Sequence, residues 1–147
     1  MTGEDPRAAF AAMSEALVRD FRAHDGEVTS GPFRGRPVLL LTTTGARSGE
    51  RRLAPLVYTR DGDRYVIVAS KGGAPTHPAW YLNLLAHPVV TLEVGGETFQ
   101  ARAHVASGPE RDGLYARHAE VHPGFTDYQQ RTSRVIPVVV LERLPPA

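Results

Sequence analysis

Apolar positions recur along this chain with two different periods. Phe10, Met13, Leu17 and Phe21 fall at helical spacing, which predicts an amphipathic helix over about 5–22. Asp5 is its expected N-cap and Pro6 its first residue. The opposite face mixes Arg7, Glu15, Arg19, Asp20 and Arg22, less one-sidedly basic than a membrane-surface helix, so docking on its own domain is favoured over peripheral membrane contact. After the Gly, Ser and Pro-rich loop 24–37 the pattern becomes β-like. Strands are expected at 38–44, 53–59, 65–70, 89–94, 97–105 and 136–141. Leu39, Leu40 and Leu41 are too continuous for a half-exposed strand, and Pro55 marks an edge or a bulge. Turn signals at Gly45–Gly49, Asp61-Gly62 and Gly95-Gly96 link these runs as hairpins, with 65–70 expected antiparallel to 53–59. A short helix at about 78–86 and a second, opened by Ser107-Gly108-Pro109 and running to about Val121, complete the order. Mostly hairpin-linked strands with helices at the flanks predict a mainly β, α+β fold: one small antiparallel barrel over the whole chain.

Composition narrows the classes. With 147 residues, 41% of them hydrophobic and 22% charged, the chain suffices for one domain with a buried core. It has no cysteine, which removes thiolate metal sites, thiolate nucleophiles and disulfides, and fits a reducing cytoplasm. A net charge of +1 offers no general attraction to nucleic acid. The basic residues are biased: sixteen of the seventeen are arginine, and the single lysine is Lys71.

Lys71 lies where chemistry is expected. The strand ending at Ala69-Ser70 runs into Lys71-Gly72-Gly73 and then into a helix start, a junction that turns backbone N–H groups outward and suits an anion. The loop Gly45–Arg52 is a second cradle, since Arg47, Ser48 and Arg52 can donate to phosphate or carboxylate oxygens. By itself that loop is equally a solvated hairpin end; the neighbouring lysine junction, taken as lying on the adjoining strand, gives it weight. Trp80 and Tyr81 open the short helix, where core packing is the simpler role, and Asn83 either binds ligand or caps locally. His118 and His122 are four apart but lack a third ligand, so no metal site is expected. Nucleophile elbows, Walker loops and dinucleotide fingerprints are missing, which points to a cofactor that brings its own chemistry.

The runs Thr42-Thr43-Thr44-Gly45-Ala46-Arg47-Ser48-Gly49, Arg52-x-x-Pro55-Leu56, Ala69-Ser70-Lys71-Gly72-Gly73-Ala74-Pro75 and Pro78-x-Trp80-Tyr81-x-Asn83-Leu84 resemble the deazaflavin-dependent nitroreductase family, reductases of actinobacteria that use reduced coenzyme F420, an 8-hydroxy-5-deazaflavin. The resemblance extends from about Pro37 to Leu141. It implies a split β-barrel like that of flavin mononucleotide (FMN)-binding proteins. It also implies that Arg47, Ser48 and Arg52 hold the phosphate and glutamate tail of the cofactor. Pro55, Ala69, Ser70, Lys71, Gly72, Gly73, Trp80, Tyr81 and Asn83 would line the rest of its groove. Hydride would pass to an electron-poor acceptor, a quinone or a nitro compound, with Ser70 and Tyr128 as the implied catalytic groups. The substrate side would carry His122, Phe125 and Tyr128; the founding nitroreductase has tyrosines in this segment, and family members often have asparagine where this chain has Ala54. These departures make cofactor use a firmer expectation than nitro-drug reduction. An FMN-dependent oxidoreductase and a non-catalytic deazaflavin carrier are the competing readings. The first would make less use of an arginine loop, and the second would share the cofactor residues.

Overall fold

The computed structural model describes the backbone of residues 6–146 and side chains from residue 8 onward; the expected cap Asp5 lies outside the described residues. In chain order the elements are α1 (Pro6–Ala23), β1 (Val38–Thr44), β2 (Arg51–Val57), β3 (Thr59–Asp61), β4 (Arg64–Val68), a 3-10 turn (Lys71–Gly73) and α2 (Ala79–Ala86). There follow β5 (Val89–Val94), β6 (Glu97–Val105), α3 (Gly108–Val121), α4 (Phe125–Tyr128), a second 3-10 turn (Gln129–Arg131) and β7 (Val138–Arg143).

The seven strands form one antiparallel sheet in the order β2-β1-β5-β6-β7-β4-β3. The expected run 53–59 is divided: β2 ends at Val57, and Thr59 begins β3 on the opposite edge. Thus β4 pairs with β3 and β7, not with β2, so the Ser70 junction does not adjoin the strand of the arginine loop. That division also shows the curvature. Seven strands laid flat would put their outer edges roughly 29 Å apart. One intervening residue, Tyr58, spans at most about 7 Å between its neighbours. The sheet must therefore curl until its edges meet, giving a barrel split along the β2/β3 seam.

Burial follows the two-residue period. Leu39 and Leu41 point into the barrel with Ile67, Ala69, Leu92, Val139 and Leu141. Val38 and Leu40, on the other face, lie beneath Phe21 and Val28. Val66, Val68, Val138 and Val140 face outward too, under Leu114 and Tyr115 of α3. Strands covered on both faces have no polar side to alternate with, which accounts for the unbroken Leu39–Leu41 run. Pro55 sits on edge strand β2, where a missing N–H breaks no ladder.

The N-terminal helix docks by its C-terminal half, where Leu17 and Val18 pack with Phe21. Phe21 is 1% exposed, whereas Phe10 is 66% and Met13 38% exposed, so the apolar stripe runs past the surface available to cover it. Arg22 fixes the docked end through paired bonds to Glu93 at 3.0 and 2.8 Å.

Candidate active site

A groove of about 480 Å³ runs between the β1–β2 loop and α2, lined by Gly45–Ser48, Arg52–Ala54 and Ala79, Trp80, Leu82 and Asn83. It joins five of the residues expected at a cofactor: Arg47, Ser48, Arg52, Trp80 and Asn83. Local bonding shapes the loop. Gly45 N–H donates to Glu50 O at 2.7 Å, Gly49 N–H to Gly45 O at 3.0 Å, and Glu50 N–H to Ser48 Oγ at 3.1 Å. A Cβ on Gly45 would lie 2.4 Å from Ser48 Oγ and 3.2 Å from Glu50 O, so a side chain there would push the Ser48 hydroxyl off its bond to Glu50 N–H. Asn83, 8% exposed, ties the loop to the barrel: Oδ1 accepts from Ala46 N–H at 3.0 Å and Nδ2 donates to Thr43 Oγ1 at 3.1 Å. Both of its polar ends are committed to protein, which makes it the support of the loop. The sequence assigns Thr43 no role beyond its place in the motif run before the loop; it is buried on the same inward face as Leu39 and Leu41.

The arginines are left outside this frame. Arg52 shares an exposed ion pair with Glu50 at 2.9 Å, and Arg47 is exposed with no ion pair among the described residues. A rim bearing two guanidinium groups above a floor of Leu53, Ala54, Ala79 and Trp80 suits a long ligand, anionic at one end and flat and apolar along its length. That donor set fits a phosphate- and carboxylate-bearing deazaflavin.

The other expected residues form a second region or lie elsewhere. Ala69 is fully buried in the barrel core, and Pro55 faces a crevice with Ser14, Glu15, Val18 and Arg19 of α1. Tyr81 stacks near His77, with ring centres 4.8 Å apart. Ser70, 6% exposed, starts the turn Lys71–Gly73, in which Lys71, Gly72 and Gly73 all have positive φ (48°, 63° and 83°). Lys71 Nζ donates to Thr76 Oγ1 at 3.1 Å on the surface. Segment 125–131 packs directly on this turn: a Cβ on Gly73 would lie 2.9 Å from both Tyr128 O and Arg131 Cβ. Ser70 and half-buried Tyr128 are thereby brought to one neighbourhood, 58 positions apart in the chain.

His122 is placed differently from expectation. It is 2% exposed, its Nε2–H donates to Tyr58 O at 3.1 Å, and its Nδ1 accepts from Arg36 Nη1 at 3.0 Å. Its ring has no free nitrogen for a substrate and instead braces the seam residue. Beside it His118 is fully buried, with Nδ1 3.1 Å from Thr59 Oγ1 and Nε2 unpartnered. Burial, with the neighbouring His122, lowers the His118 pKa from 6.5 to about 3, so it is neutral at ordinary pH. Burial also lowers the His122 pKa, against the opposing bond to Tyr58. Phe125 packs edge-on to His118 at 4.5 Å and to Tyr128 at 4.9 Å, linking the histidines to the turn.

A family model described as F420H(2)-dependent quinone reductase matches residues 14–143. An F420H(2)-dependent quinone reductase of Mycobacterium tuberculosis is 48% identical over 128 residues, covering 84% of this chain and 85% of the relative. A solved structure described as an F420-H2 dependent reductase superposes with a TM-score of 0.67 at 41% identity, covering 73% of this chain and 95% of that one. Another, described as a domain-swapped dimer, gives 0.70 at 34% identity and covers 94% of this chain and all (100%) of that one.

Proposed function

The chain belongs to the F420H(2)-dependent quinone reductase family, and from that premise we propose that it reduces a quinone at the expense of bound F420H2. Bound in the groove, that cofactor supplies the hydride. The observation that carries this reading is the groove itself, with Arg47 and Arg52 on its rim and Asn83 holding its loop in shape.

In this reading Arg47 and Arg52 take the phosphate and carboxylates of the cofactor tail through planar N–H forks, and the Ser48 hydroxyl adds a donor. Trp80, Leu53 and Ala54 exclude water along the cofactor's length. In this reading the turn at Ser70–Gly73 borders the reacting end, supported by the packing of segment 125–131 on Gly73 through the Tyr128 carbonyl. Ser70 Oγ donates a hydrogen bond to the acceptor oxygen on which negative charge develops. Tyr128 Oη delivers a proton to it. Orientation, charge stabilisation and this proton are the protein's contribution, and no covalent intermediate on a side chain is required. The acceptor is a planar quinone; nitro compounds, electron-poor in the same way, are secondary acceptors.

The test mixes purified protein with reduced F420 and menadione and follows cofactor oxidation. Turnover that requires protein is expected. Binding of F420 with no turnover over several acceptors would make the protein a carrier, and binding of FMN but not F420 would overturn the reading.

A further inference from the structure

Arg134 is one of sixteen arginines and belongs to no motif. Its guanidinium nevertheless makes four bonds inward. Nε donates to Ala74 O at 2.9 Å, Nη2 to Ser70 O at 2.7 Å, and Nη1 to Ala69 O at 3.1 Å and His77 Nδ1 at 3.2 Å. Among the described residues no carboxylate pairs with it, although a part-buried arginine is ordinarily neutralised that way. Burial lowers its pKa from the usual arginine value. Its charge is met by backbone carbonyl dipoles, all from the segment that runs from β4 into α2.

Covalent geometry gives this arrangement a consequence. Within a trans peptide the C=O and N–H point in opposite directions, and no peptide among the described residues is cis. Gathering the Ala69 and Ser70 carbonyls on one cation therefore turns the Ser70 and Lys71 N–H groups to the far side. Neither N–H has a backbone acceptor among the described residues. Ser70 is right-handed (φ −77°, ψ −37°) and Lys71 left-handed (φ 48°), the pairing that makes successive N–H groups converge. A lysine at positive φ is strained, and such strain persists only where its surroundings hold it. Arg134 holds it from inside, and the close approach of Tyr128 O to Gly73 holds it from the side.

We propose that Arg134 is a positioning residue for the reduction, holding the Ser70–Gly73 turn in the conformation that presents Ser70 and the Ser70 and Lys71 N–H groups to the reacting end of the site. The inference rests on the proposed placement of the acceptor at that turn. Lysine cannot replace arginine in this role, since one ammonium cannot meet four acceptors spread around a plane.

Two measurements test it. In steady-state assays with reduced F420 and menadione, Arg134→Ala and Arg134→Lys should each lower kcat by about 10- to 100-fold. The dissociation constant for F420, read by fluorescence titration, should change far less, and methylguanidine should restore part of the Arg134→Ala rate while leaving wild type unaffected. Without cofactor, the amide NMR resonances of Ser70, Lys71 and Gly72 should shift in Arg134→Lys more than those of the Gly45–Arg52 loop. If Arg134→Ala fails to fold, Arg134→Lys decides alone. A kcat within twofold of wild type, or unmoved turn resonances, overturns the proposal. Shifted resonances in a protein whose wild type does not turn over would instead overturn the reading of the acceptor site and leave Arg134 as the holder of the turn.

Discussion

The Gly45–Arg52 loop and the Ser70–Gly73 turn look alike as sequence, each a small cationic, glycine-bearing bend after a strand. They are built in opposite ways. In the loop, neutral groups do the holding: Asn83 and Ser48 satisfy the backbone, and the arginines remain at the rim. In the turn a cation does the holding, since Arg134 gathers the carbonyls from inside while Lys71 lies out on the surface. Positive charge near a backbone bend thus has two distinct uses, one toward a ligand and one toward the chain. Only the partners of each guanidinium tell which is in play.

The sharpest way to break this contrast is at Gly73. With φ at 83° and a prospective Cβ 2.9 Å from Tyr128 O, Gly73→Val should destabilise the protein by about 3 kcal/mol, measured by denaturant unfolding. A loss that small surface substitutions would match would mean the turn is not clamped. Acid should separate the regions without mutation. His118 is neutral in the fold with a pKa near 3 against 6.5 when unfolded, so the unfolded chain takes up the proton first. Stability should hold above about pH 6.5 and fall below it by up to about 1.4 kcal/mol per pH unit. The loss should begin in the segment carrying Phe125 and Tyr128. His118→Leu should flatten that acid limb in pH-dependent unfolding; an unchanged limb would assign it to carboxylates.

Asn83→Ala removes both supports of the arginine loop, leaving Ala46 N–H and Thr43 without that partner. We expect a loss of about 1–3 kcal/mol in thermal unfolding together with weaker F420 binding. Arg47→Ala should have the smallest structural effect, within about 0.5 kcal/mol of wild-type stability, because its side chain is exposed. Its effect belongs in cofactor affinity, as a roughly tenfold weakening at low salt that shrinks as salt is added. An affinity loss independent of salt would take the anionic tail away from this loop.

Much of the fold was legible from the sequence. The strands came from apolar runs bounded by glycine turns, and the edge position of β2 from Pro55. The division at Tyr58 was not legible, because Val57, Tyr58 and Thr59 continue one β-type pattern and nothing local marks a change of sheet edge. The helix α1 was read correctly as a helix, but Phe10 and Met13 show that periodicity predicts a face and not the extent of its partner. At the site, Arg47, Ser48, Arg52, Trp80 and Asn83 converge on one groove as the motifs imply. Pro55 and Ala69 do not join them, because neighbours on a strand point to opposite faces and a motif does not say which one meets solvent. The roles of Arg134 and Thr43 are not legible in the sequence because they lie in partners 40 to 65 residues away.

The single residue between β2 and β3 has a mechanical meaning. Most closed barrels complete their circumference with a ladder of hydrogen bonds, so strand number and shear determine their girth. Here the ring is completed at one point by covalent backbone, with Tyr58 N–H bonded to Pro37 O at 3.1 Å and Tyr58 O held by His122. The barrel behaves as a cuff fastened by one buckle: its circumference there is fixed by the length of a residue.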